Sequence, residues 1–156
     1  MTNIGIVLPD EGYLEAVGKL AKKYGAVWII DETHTISTGP GGMTKLYNLK
    51  PDMLTIGKAI AGGLPTGTFG MSKEIAERIA AGVKREIIDT GGIGGTLAGN
   101  ALSLAAMRAT LTEVLTEANF AKMIALGHRW SDGVDAAISE FRLPWHCNRL
   151  GARGEY

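Results

Sequence analysis

Apolar positions along this chain recur at two different spacings. Between residues 11 and 24, Tyr13, Leu14, Val17, Leu20 and Ala21 fall three or four apart while Glu15, Lys19, Lys22 and Lys23 take the opposite face. That period predicts a helix, and Gly25 stands where a helix-ending glycine belongs. On either side the apolar residues are consecutive instead. Residues 3–8, closed by Pro9, and residues 26–30 each read as a short strand; the second is apolar throughout, as expected of a strand covered on both faces. Strand, helix, strand makes a βαβ unit. The loop over residues 35–42 contains Gly39-Pro40-Gly41-Gly42, which cannot continue a helix or a central strand. A further apolar run, residues 53–56, stops at Gly57-Lys58, and a turn over residues 61–65 leads to another predicted strand at 66–71. Ser72 is a good N-cap for a helix to about Ala81. After the glycine-rich segment DTGGIGGTLAGN (residues 89–100), helical patterns cover roughly 100–115 and 117–141. The last segment, 143–156, reads as a strand cut short.

Composition narrows the classes of function. A chain of 156 residues is one domain by length and can bury roughly 70% of its unfolded surface. Sixteen basic and sixteen acidic residues without a like-charge run argue against nucleic acid and against an anionic membrane surface as partners. Apolar runs of about five residues fall far short of the roughly 20 that span a bilayer, and Met1-Thr2-Asn3 does not open a signal peptide; the expectation is a soluble, cytoplasmic protein with no membrane partner. A single cysteine, Cys147, excludes an internal disulfide and a cysteine-based metal cluster, and His34, His128 and His146 have no ligand spacing, so no metal is expected. The 22 glycines cluster, which marks backbone that needs positive φ or close approach to a ligand.

Chemistry is expected where the two central apolar runs end. The first stops at adjacent carboxylates, Asp31 and Glu32, and the second at Lys58, 27 residues beyond Asp31. The rim of a sheet at strand ends is where α/β folds place their sites. Glu32 is expected to hold local structure through a salt bridge. The glycine cluster at residues 91–95 contains no GxGxxG spacing, so a dinucleotide-binding motif is absent from it.

Asp-Glu-x-x-Thr after the strand, then PDMLTIGKAIAGGLPTGTFG, then GGTLAGNALSLAAMRATL resemble, in order and spacing, the class III aminotransferases. These are pyridoxal-phosphate enzymes of fold type I, a group that includes glutamate-1-semialdehyde aminomutase. The resemblance implies an α/β fold: part of a fold-type-I large domain over residues 1–142, with a mostly parallel sheet flanked by helices, and the start of a C-terminal small domain over 143–156. It implies pyridoxal 5′-phosphate as cofactor, and amino-group transfer between an amine or amino acid and a carbonyl compound, or its migration as in the aminomutase. Lys58 is matched to the Schiff-base lysine and proton shuttle, a role suited to an amine whose protonation responds to burial. Asp31 is matched to the acid beside the pyridinium nitrogen. Thr33 falls against one ring face, where relatives carry an aliphatic residue, and His34 falls near the phenolic oxygen, where relatives often have glutamine. Gly95 and Thr96 match the segment that reaches the partner subunit's cofactor phosphate, which implies a homodimer with the site at its interface. The match lacks the family's N-terminal phosphate loop and its C-terminal arginine-bearing domain. Two other readings therefore stay open: a non-catalytic truncated fragment of such an enzyme, and a Rossmann-type nucleotide-binding module that only the α/β pattern supports.

Overall fold

The computed structural model describes residues 1–83 and 97–156. Helix α1 (Tyr13–Lys23) forms where the apolar spacing predicts it. Its end is a glycine-terminated cap: Gly25 has φ 65°, the Gly25 N–H donates to Lys22 O and the Ala26 N–H to Ala21 O. The helix meets the sheet through Gly18, where a Cβ would lie 2.6 Å from the Trp28 ring. Much of its apolar stripe still faces solvent, with Tyr13 and Leu20 more than half exposed.

Strand β1 (Ile29–Asp31) pairs in parallel with β2 (Met53–Gly57), Asp31 opposite Thr55. β3 (Gly67–Met71) runs antiparallel to β2, from Met53 opposite Met71 to Gly57 opposite Gly67, in the order β1-β2-β3. The expected α/β architecture is present, but of these two pairings only one is parallel. The connection over residues 58–66 is too short for the crossover that a parallel neighbour of β2 needs.

The strand expected at residues 3–8 does not form. Gly5 turns at φ 109°, so the chain folds back: the Val7 N–H donates to Met1 O at 2.8 Å and the N-terminal ammonium donates to Val7 O at 2.7 Å. The backbone groups of Val7 are thus paired locally, the Ile6 carbonyl accepts from Asn148 Nδ2 at 3.1 Å, and the expected βαβ unit lacks its first strand.

The other helices follow their caps. α2 (Gly42–Leu46) is a short helix inside the stretch read as a loop. α3 (Lys73–Val83) starts at Ser72, whose Oγ accepts from the Ile75 N–H at 3.3 Å. α4 (Ala101–Ala109) is capped by Asn100, whose Oδ1 accepts from the Ser103 N–H at 2.9 Å, and it continues into a wider π turn over Thr110–Val114. α5 (Glu117–Glu140) begins at Thr116, whose Oγ1 accepts from the Asn119 N–H. The segment read as a truncated strand forms an antiparallel hairpin, β4 (Asn148–Leu150) and β5 (Arg153–Glu155), turning at Gly151 with φ 59°. It lies on α5, with Gly154 so close to Trp130 that a Cβ would sit 2.5 Å from the ring.

Met43, Ile60, Ala61, Ile75 and Phe120 are buried, as are Thr2 and Ile6 of the N-terminal fold-back. Among the described residues no helix is long and apolar enough to cross a membrane.

Candidate functional site

Because β1 and β2 are parallel, their C-terminal ends emerge on one rim, and the residues just beyond them meet there. Successive side chains of an extended segment point to opposite faces, so the adjacent carboxylates Asp31 and Glu32 part company. Glu32 is 1% exposed and accepts from three donors: the Thr35 hydroxyl, the Met43 N–H at 3.2 Å and the Thr44 N–H at 2.5 Å. Its own N–H donates to Thr55 O at 2.8 Å, tying the loop to β2. Gly42 has φ 59°, and a Cβ there would lie 2.4 Å from Glu32 Oε2. Glu32 therefore has the structural role expected of it, but through backbone and hydroxyl donors rather than a salt bridge.

Asp31 stays on the exposed side of the rim. Its Oδ1 accepts from the Thr33 N–H at 2.7 Å. Hydrogen bonds from the Thr33 hydroxyl and N–H, joined by the Thr55 hydroxyl and the nearby Lys58 charge, hold its carboxyl below the ordinary value of 3.8 against an opposing effect of burial. Asp31 is therefore an ionised acid at neutral pH on the exposed side of the rim.

Lys58 follows β2 directly and sits in the left-handed region, φ 49°. Among the described residues two other non-glycine residues share that conformation, Asn48 and Arg142, and each lies just past the C-cap of a helix, where it is common. Lys58 stands at a strand end, so helix capping does not account for its conformation. The turn it opens, Lys58–Ala61, is pinned by buried Ile60 and Ala61, which fix the backbone from below. The Lys58 Nζ lies 2.8 Å from His34 Nε2. Thr33 lies over Gly57, its Oγ1 3.5 Å from where a Cβ would be.

Asp31, Thr33, His34 and Lys58 are thus brought to one rim. Gly95 and Thr96 lie outside the described residues. Sequence reasoning missed Arg153, whose Nη1 lies 3.3 Å from His34 Nδ1. Its signal was faint: arginine and glutamate two apart, which puts both on one face of β5. A cavity of about 890 Å³ opens at the opposite ends of the same strands, between Gly18, Trp28, Asp52 and Arg78, away from this constellation.

An amine, an ionised carboxylate and an imidazole around one rim suit a flat heterocycle that carries a carbonyl and a protonated ring nitrogen. The donor set fits such a group. Comparison with known proteins points the same way. A family profile described as Aminotransferase class-III matches residues 1–140. The glutamate-1-semialdehyde 2,1-aminomutase of Anaeromyxobacter dehalogenans is 39% identical over 152 residues, covering 96% of this chain and 34% of the relative. The crystal structure of a glutamate-1-semialdehyde aminomutase from Pseudomonas aeruginosa PAO1 superposes with a TM-score of 0.94 at 48% identity, covering all of this chain and 35% of that one. A variant of that enzyme solved in complex with PMP superposes with a TM-score of 0.93, at the same identity and coverage. The chain spans about a third of the length of the relatives it matches.

Proposed function

Since the chain belongs to the class III aminotransferases, we propose that its rim residues hold pyridoxal 5′-phosphate for transfer of an amino group between an amine or amino acid and a carbonyl compound. When bound, that cofactor supplies an aldehyde that captures amines and a ring that withdraws electrons from the substrate's α-carbon. Lys58 is the amine that would hold the aldehyde and would move the proton at the substrate's α-carbon. Asp31, ionised and exposed on the rim, would keep the ring nitrogen protonated. Thr33 bears on one ring face and His34 on the phenolic oxygen. A second subunit brings Gly95 and Thr96 to the phosphate; the supporting observation is the exposure of Leu97, Leu102 and Leu104 next to that segment.

One observation carries the reading: a lysine in left-handed backbone, anchored from below and adjoining an ionised aspartate on a single rim. The 48% identity to the Pseudomonas aeruginosa aminomutase structure favours migration of the amino group within one substrate as a second reading, on the same residues. The test is a spectral titration with pyridoxal 5′-phosphate. The reading expects a visible band from covalently held cofactor that disappears in Lys58→Ala and persists with weaker retention in Asp31→Asn. An unchanged band in the lysine variant would refute it.

A further inference from the structure

The imidazole of His34 is contacted at both nitrogens, and its two partners cannot both donate to it. A guanidinium has no acceptor, so Arg153 Nη1 facing His34 Nδ1 at 3.3 Å makes Nδ1 the acceptor. A neutral imidazole with an accepting Nδ1 carries its proton on Nε2. That proton points at the Lys58 Nζ, 2.8 Å away, and a nitrogen accepts it only as the free amine. The opposite assignment, an ammonium at Lys58 donating to Nε2, puts an Nδ1–H against a guanidinium N–H, donor against donor. Arg153 is held for this task. Its Nη2 donates to Glu155 Oε1 at 2.5 Å and to Thr2 O at 3.4 Å, and its side chain is only 21% exposed. The opposing influence is on the same rim: it is the Lys58 charge that helps to hold the Asp31 carboxyl down.

We propose that Arg153, braced by Glu155, is a positioning residue that fixes His34 as the Nε2–H tautomer and thereby presents Lys58 as a free amine. This rests on the reading of Lys58 as the amine that holds the cofactor, and it extends that site to the hairpin at the far end of the chain. The relay exists before any cofactor arrives, so it is readable without one.

The test uses the whole 156-residue chain, free of cofactor. Nitrogen-15 NMR of labelled histidine reads which nitrogen of His34 carries the proton: Nε2 in the wild type, with the preference lost in Arg153→Met. In parallel, reductive methylation with formaldehyde, mapped peptide by peptide, reads the reactivity of Lys58. The rate at Lys58 is expected to fall about tenfold in Arg153→Met, the scale of one hydrogen bond to a charged group, and to recover in part in Arg153→Lys. Glu155→Gln is expected to move the same readouts in the same direction by less. Exposed Lys73 is the internal reference for the reagent, and the dispersion of the amide NMR spectrum reports whether each variant is folded. A wild-type His34 protonated on Nδ1 overturns the proposal, as does a Lys58 rate indifferent to Arg153 in folded protein. If tautomer and rate respond as stated but pyridoxal 5′-phosphate attaches elsewhere, the relay stands and the functional reading falls.

Discussion

Asp31 and Glu32 are neighbours in sequence, alike in chemistry and opposite in use. Glu32 is buried and satisfied by three donors from the segment that follows it, so its charge is spent on holding the loop. Asp31 is exposed, held by donors from its own loop and from β2 yet open to solvent. The difference arises from one residue of register on an extended backbone, and it teaches which of two carboxylates a strand end makes available for chemistry. The rim works because its anchor is beneath it: Glu32 fastens the loop that carries Thr33 and His34, as Ile60 and Ala61 fasten the turn that carries Lys58.

The largest effect is expected from cutting the anchor. Glu32→Ala leaves two backbone N–H groups and a hydroxyl without their acceptor in a closed site and is expected to cost roughly 3 to 5 kcal/mol, read as a shift in the urea midpoint. A loss under about 1 kcal/mol would mean that water replaces the carboxylate and that the two acids differ less than their burial indicates. Next is Lys58→Gly, which relieves a left-handed backbone and is expected to stabilise the chain by about 1 kcal/mol while abolishing covalent capture of cofactor. Destabilisation by that variant would place the value of Lys58 in the fold rather than in the chemistry.

A smaller effect follows from the depressed carboxyl of Asp31. A carboxylate whose folded-state value lies below its ordinary one stabilises the fold above that ordinary value, 3.8, and the contribution is lost as pH falls below it. Because the group is exposed, the effect is expected to be slight: urea melts of wild type and Asp31→Asn should differ at neutral pH and converge as the medium is acidified below that point. The smallest effect concerns one bond. Thr33→Val removes the hydroxyl that contributes most to the depression, so NMR titration of Asp31 should show its carboxyl returning toward the ordinary range, with stability nearly unchanged.

Much of this was legible in the sequence because it rests on local rules. α1, α3 and α5 follow the apolar period, with Gly25 ending α1 and Ser72 capping α3 where their chemistry suggests. The meeting of Asp31 and Lys58 was legible because two apolar runs ended in chemistry at comparable places. What was not legible depends on distant partners. The run at 3–8 has the composition of a strand, yet its backbone pairs with itself around Gly5. α2 opens with two glycines, both in left-handed backbone, and a propensity argument rejects a helix there; the buried Glu32 carboxylate receiving its first N–H groups makes it possible. Arg153 reaches His34 across 119 positions of sequence, a contact that no local pattern encodes.

The central claim is that one amine, at position 58, is singled out from every other lysine by its place on this rim. Incubating the chain with pyridoxal 5′-phosphate, reducing with borohydride and mapping the labelled peptides tests it most directly. The account predicts a single dominant label on Lys58; labels spread over the exposed lysines, with Lys58 no more modified than Lys73, would contradict it.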